Sequence, residues 1–294
     1  MFDAQKFYLP FVQRPEVVHL GLSPLELEHW IEADETFPLY YQHKSQLMQH
    51  ASEKVFAALP DSLPAQEELS EKLLSCLLQA YPYSYSLEND NLCLNAYGVR
   101  VPIRSTLPPL QAASLWVQDD ICVLEPRDQT YILSAASLCA PSSWHLQEKI
   151  GRPIGDIHAP VPELNRKLSA QINHVFTKLS PLRPMQRFNW TVTESNSLAK
   201  GVGLESLGEN IGNSDSGLYV RVERQTLVRL SRTNAIAFTI RIYLYELEAL
   251  APYPGALSAL KKAVEAMTPD EVSYKSILPL YPKFRKTCQQ LLRT

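Results

Sequence analysis

The sequence is poor in the residues that build cofactor fingerprints. Only 10 of its 294 residues are glycine. No Gly-x-Gly-x-x-Gly follows a strand pattern, and no Gly-rich loop leads into Lys-Ser/Thr, so no dinucleotide or nucleotide-phosphate cradle is encoded. The five cysteines, Cys76, Cys93, Cys122, Cys139 and Cys288, include no close-spaced pair of the kind that holds zinc or an iron–sulfur cluster. Isolated and odd in number, they are expected to stay reduced, several of them as core residues. Basic excess is also missing: 28 Lys and Arg against 31 Asp and Glu give a net charge of −3, which argues against nucleic acid as a partner. No run of about 18 apolar residues occurs, so no membrane span is expected. The opening MFDAQKFYLPFVQRPE lacks a basic stretch followed by an apolar one, and a cytoplasmic location is expected. No repeat of about 20–50 residues is visible.

What is present reads as helices, then strands, then helices. The apolar fraction of 45% is enough for a real core. Residues 24–58 carry Leu25, Leu27, Trp30 and Ile31 at helical spacing, with Ser23 placed to cap and a break around Pro38. Residues 65–80 form a second amphipathic pattern. NLCLNA, ICVLEP and YILSAAS read as short strands, and residues 161–179 return to helical spacing. FNWTVTES, GLYVRVERQTLVRL and AIAFTIRIYLYEL are the clearest strands, the last two joined by a turn at Ser231–Asn234. Short helices are expected at 256–267 and 281–292. This order predicts an α+β fold with an antiparallel sheet. One domain over 1–294 is expected, with helical extensions at about 1–80 and about 250–294.

Two places can carry chemistry. In Ile157-His158-Ala159-Pro160-Val161-Pro162, alternate prolines hold Ala159 and Val161 out of the helical region and mount His158 on stiff, extended chain. Such an imidazole suits an axial metal ligand, or hydrogen-bonds at a loop corner. In the strand around residue 223, Arg221, Glu223 and Gln225 alternate to one face and Val222, Arg224 and Thr226 to the other. A turn centred near Arg232–Thr233 sets Glu223 roughly opposite Arg241, a cross-strand pair worth about 0.2–1 kcal/mol if solvated. Amid so much apolar sequence, the alternative is a buried polar cluster that needs partners. His145 competes with His158 from a less constrained loop. His174, His19, His29, His43 and His50 read as surface residues.

The segment from Cys139 to Pro162, CAPSSWHLQEKIGRPIGDIHAPVP, resembles the haem-dependent oxidative N-demethylase α-subunits and their relatives. The matching positions are Pro141, Ser142, Trp144, Glu148, Lys149, Ile150, Gly151, Ile157, His158, Pro160, Val161 and Pro162. Three further blocks resemble that family in the same order: LGLSPLELEHWIEADETF, RFNWTV and LYVRVERQTLVRLSRTNAIAFTIRIYL. The resemblance implies a PAS-like haem fold, a curved antiparallel sheet holding haem b against helices, with His158 on the iron. Arg187, Arg224 and Arg241 become candidates for the haem propionates, and Trp144 and Trp190 for packing on the macrocycle or in the core. It further implies oxidative N-demethylation of a small secondary amine with dioxygen. Arg221 would stabilise oxygen as it gains negative charge, and Glu223, or Glu194 on the neighbouring strand, would hold the amine or take its proton. With no flavin or iron–sulfur signature in the chain, electrons are expected from separate flavin and iron–sulfur reductase subunits. Two other classes stay open: a haem-based gas sensor or carrier, and a haem-free ligand-binding protein of the same fold.

Overall fold

The computed structural model describes the chain except residues 1–3, 17–18, 143–144, 158–170, 201–202, 205, 209, 211, 213–214 and 294. Ten strands form among the described residues: β1 (Ser23–Pro24), β2 (Phe56–Ala58), β3 (Tyr85–Glu88), β4 (Asn91–Leu94), β5 (Val99–Pro102), β6 (Asp120–Arg127), β7 (Thr130–Ser137), β8 (Met185–Thr193), β9 (Tyr219–Arg229) and β10 (Ile236–Glu246). Seven make one antiparallel sheet in the order β1-β8-β9-β10-β6-β7-β2, and β3-β4-β5 make a small second sheet. The expected combination of helices with a large antiparallel sheet is therefore present.

The long hairpin β9–β10 is the spine. Its branched and aromatic residues favour a pleated, buried surface, and its turn uses Asn234 at φ +62°, a left-handed conformation that asparagine tolerates. The register differs by one residue from the sequence expectation. Arg241 faces Arg224, and Glu223 faces Ile242. A shift of one residue moves a side chain to the opposite face, so Arg241 and Glu223 do not form a cross-strand pair. The turn is effectively centred between Arg232 and Thr233 with Ile236 opposite Arg229, which fixes the odd sum of paired positions.

Four longer helices flank the sheet: α1 (Phe37–His50), α2 (Leu63–Ala80), α3 (Ala256–Glu265) and α4 (Tyr281–Leu291). Residues 24–58 are thus not one interrupted helix. Ser23 lies in β1 and caps nothing, and Pro38 sits in the first turn of α1, where its missing N–H costs no bond. Phe56–Ala58 ends the stretch as an edge strand on β7. Of the helix expected at 161–179, residues 171–178 are helical, and residues up to 170 lie outside the described residues.

One face of the sheet is sealed at both ends. Val228, Ala237, Ile121 and Val123 pack with Trp30, Phe37, Leu69 and Leu73 of the N-terminal helical region. Val220, Val222, Tyr243 and Trp190 pack with Phe11, Leu260, Val264 and Phe284 beneath α3 and α4. Burying such apolar area at about 25 cal/mol per Å² is the main drive for closing these helices on the sheet. On the opposite face, Leu227, Ile236 and Cys122 meet Ile154, Ile157 and Phe176, and Ile242 meets Tyr40, Ala140 and Leu198. Between those two patches lies a strip of half-buried residues.

Candidate functional site

That strip is polar at its centre. β8, β9 and β10 contribute Arg187, Asn189 and Thr191; Arg221, Glu223 and Gln225; and Phe238 and Ile240, all on one face by register. Arg221 is buried, and the other residues of the strip are partly exposed. The expectation that Arg221, Glu223 and Gln225 share a face holds.

Glu223 is the hub. Its Oε2 accepts Nδ2–H of Asn189 at 3.1 Å and Nε2–H of Gln225 at 2.9 Å. Its Oε1 lies 3.9 Å from Arg221 Nε, too far for a hydrogen bond. Arg221 is fully buried, and each of its terminal nitrogens is engaged: Nη1 donates to Leu198 O at 2.9 Å and Nη2 to Ala140 O at 2.5 Å. Its Nε has no acceptor. Burial lowers the Arg221 pKa, opposed by Glu223, Tyr40 and Asp120.

The carbonyl that holds Arg221 is itself fixed. The buried Asp120 carboxylate accepts Cys139 N–H and Ala140 N–H, each at 2.8 Å, and so orients the Ala140 peptide towards the guanidinium. From α1, His43 Nε2 lies 2.6 Å from Cys139 O, and because a carbonyl only accepts, His43 donates Nε2–H. His43 is buried rather than on a helix surface as the sequence pattern suggests, and burial pushes its pKa down to about 4. Its neighbour Lys44 is also buried and donates to the carbonyls of Ser114, Val117 and Asp119. Nothing in the local sequence separates these two from solvated helix residues.

At the other end of the strip, Lys275 reaches in from the C-terminal segment and donates to Asn189 Oδ1 at 2.5 Å. Arg187 Nε is buried with no acceptor, and burial lowers its pKa against the pull of Glu223 and Tyr274. Asn189 and Lys275 were missed by sequence reasoning. Asn189 stands in the RFNWTV block on the same strand parity as Arg187, a signal that could have found it.

The remaining expected site residues lie elsewhere. Arg224 is on the sealed face, where it donates to the carbonyls of Trp30 at 3.1 Å and His29 at 2.6 Å and lies 3.4 Å from Glu32. Arg241, on the same face, bonds Asp34 at 2.9 Å between the rings of Tyr40 and Tyr243. Glu194, just past the end of β8, is an exposed partner of Lys283. Trp190 fills core against Phe11. His29, His50 and His174 are exposed as expected, and His145, the alternative to His158, is exposed as well. Trp144 and His158 lie outside the described residues; Ile157, which precedes His158, is buried in the cluster with Leu227.

A groove of about 630 Å³ opens on the sealed side, between α2 and the segment holding Glu32 and Asp34. Its two inner carboxylates are already committed. Burial alone would raise the Glu32 and Asp34 pKa values, but Arg224 and Arg241 with their neighbouring donors hold both below the usual range. The buried carboxylates of the groove are therefore spent within the fold, unlike Glu223.

Residues 21–283 match the family described as haem-dependent oxidative N-demethylase, alpha subunit-like. The chain belongs to that family. The match spans the blocks in which the resemblance was read, but for the first residue, Leu20, and includes both the Glu223 strip and the His158 segment. The haem-dependent oxidative N-demethylase alpha-subunit-like family name carries a dependence on haem and an oxidative demethylation theme, and its words "alpha subunit" imply an enzyme of more than one subunit. No described helix is long and apolar enough to cross a membrane.

Proposed function

We propose that this chain is the oxygen-activating, haem b-binding component of an amine monooxygenase that removes a methyl group from a small secondary amine. In this reading the seven-stranded sheet is a PAS-like scaffold, the Glu223 strip would face the cofactor, and His158 would hold the iron. One observation carries it: an unsaturated carboxylate oxygen, Glu223 Oε1, stands 3.9 Å from Arg221 Nε, which is buried without an acceptor. Buried polar groups normally find partners, so an open donor beside an open acceptor marks a place for a ligand.

The donor set suits haem. Its carboxylate groups match a buried guanidinium with a spare Nε–H, which Arg187 offers, and Phe238 and Ile240 give the strip an apolar flank for a flat macrocycle. Trp144 remains a candidate for packing on that macrocycle. Bound haem would supply activation of dioxygen. Glu223 Oε1 then accepts an N–H of the ammonium and receives its proton when the free amine is needed. Arg221, whose terminal nitrogens are held by the Leu198 and Ala140 carbonyls, would offer its Nε–H to negative charge developing beside Glu223. Electrons come from separate flavin and iron–sulfur subunits, because a lone haem does not split hydride into single electrons.

Two variants test this reading. His158→Ala should lose the Soret band or hold haem only weakly; unchanged haem content and spectrum refute the ligand assignment. Glu223→Gln should keep haem while amine-dependent formaldehyde release, with a supplied reductase, falls about a hundredfold or more. Turnover and amine affinity equal to the unaltered protein would remove Glu223 from the reaction.

A further inference from the structure

We propose that Lys275 is a positioning residue: it fixes the amide of Asn189 so that Glu223 always offers the same oxygen, Oε1, to the ligand. This rests on the reading of Glu223 as the carboxylate that receives the amine.

The backbone first puts Lys275 in place. A short helix, Pro269–Tyr274, starts at Thr268 with reciprocal capping by Glu271 and ends with Lys275 N–H bonded to Glu271 O. Ser276 then turns the chain at φ +54°, and Ile277 is buried in the core under α3 and α4. The Lys275 carbonyl accepts the Thr191 hydroxyl at 3.1 Å, which ties this corner to β8. With both sides of the residue anchored, its stem can only run inward, and Lys275 is buried.

The hydrogen-bond chain has a fixed polarity. A lysine ammonium only donates, so its bond to Asn189 requires the amide oxygen, Oδ1, at that end. The amide nitrogen must then face Glu223, whose Oε2 it meets at 3.1 Å. Gln225, two residues along the same strand, donates to that same oxygen at 2.9 Å. Two donors thus saturate Oε2 and leave Oε1 for a ligand. Without the ammonium Oδ1 loses its donor, and the amide is held only by its bond to Glu223 Oε2, the group whose position it is meant to fix. Neutral lysine can also accept, which removes the constraint in the same way.

Lys275 is surrounded by groups that act on its charge. Glu223 on β9 and Glu271 on its own helix favour the ammonium, Arg187 on β8 opposes it, and His19 of the N-terminal segment and the Tyr274 ring, 5.5 Å from Nζ, complete its surroundings. Burial is the largest influence and pushes its pKa down to about 8. The constraint on Asn189 should therefore be present at neutral pH and fade in mildly alkaline solution.

The test measures binding of dimethylammonium, the smallest secondary ammonium, to the haem-loaded chain by difference spectrum and calorimetry between pH 6.5 and about 9, a range in which this ion stays protonated. Affinity of the unaltered protein should fall about tenfold across the upper part of that range. Lys275→Met should be about tenfold weaker at neutral pH and show no such fall, while Lys275→Arg should restore neutral-pH affinity and keep it at alkaline pH. Asn189→Leu should weaken binding likewise, and adding Lys275→Met to it should change little more. Affinity in the unaltered protein that is constant across this range overturns the proposal even if no Lys275 variant folds. Additive losses in the double variant overturn the route through Asn189. Glu223→Gln separates the two readings: if it binds the ion as well as the unaltered protein, the assignment of Glu223 fails, whereas loss there with a silent Lys275→Met condemns the positioning role alone.

Discussion

The two faces of the β9–β10 hairpin use the same residue types to opposite ends. On the sealed face, Arg224 and Arg241 each meet a buried carboxylate, Glu32 and Asp34, in the segment that precedes α1, and Arg224 also donates to the carbonyls of His29 and Trp30 there. Glu32 is additionally held by the hydroxyls of Tyr8 and Tyr243 and by Lys6. On the other face, Arg221 spends two donors on carbonyls and keeps Nε, and Glu223 keeps Oε1. Arg241 also keeps a buried Nε without an acceptor, so the carboxylates make the difference: both oxygens of Glu32 and of Asp34 are engaged, which makes a clamp, whereas Glu223 keeps one open, which makes a site. An arginine in a strand therefore says little until its partners are counted.

Breaking the clamp should cost the most stability. Arg241→Met leaves the Asp34 carboxylate buried without its cation and is expected to destabilise the fold by about 3–5 kcal/mol in denaturant unfolding. Adding Asp34→Leu should recover much of that loss, since replacing a buried ion pair by apolar groups is often close to neutral. A single variant within about 1 kcal/mol of the unaltered protein would show that the clamp is not structural. Tyr243→Phe removes one hydroxyl from the Glu32 carboxylate, which keeps Lys6, Tyr8 and Arg224, and should cost about 1.5–3 kcal/mol by the same measurement. The smallest change in stability is expected on the open face. Glu223→Gln retains an oxygen for the two amide donors and should shift unfolding by less than about 1 kcal/mol, in contrast to its large effect on turnover. An equally large stability loss at Glu223 would erase the distinction between the faces.

Much of this organisation is legible in the sequence because it depends on local period and local turn chemistry. Alternation put Arg221, Glu223 and Gln225 on one side, and the Ser231–Asn234 turn joined the right strands. The pairing expected for Glu223 is one residue off although the turn lies where expected: a centre between Arg232 and Thr233 pairs Glu223 with Ile242, and a single-residue shift exchanges faces. His43 and Lys44 escaped because their helix carries only a weak apolar stripe and their partners, Cys139 O and the carbonyls of Ser114 and Val117, lie on loops far along the chain.

The sequence by itself determined the strands, the two faces of the hairpin and membership of a haem-dependent family, since side-chain period, turn residues and ordered motifs are properties of the chain read in line. Only the tertiary structure decided which charges are spent. Asp34 and Arg241 are separated by 207 positions and Lys275 and Asn189 by 86, and a buried charge takes as its partner whichever group the returning chain brings within hydrogen-bond reach. Local order cannot specify that choice; the packing of α1, α3 and α4 on the sheet does.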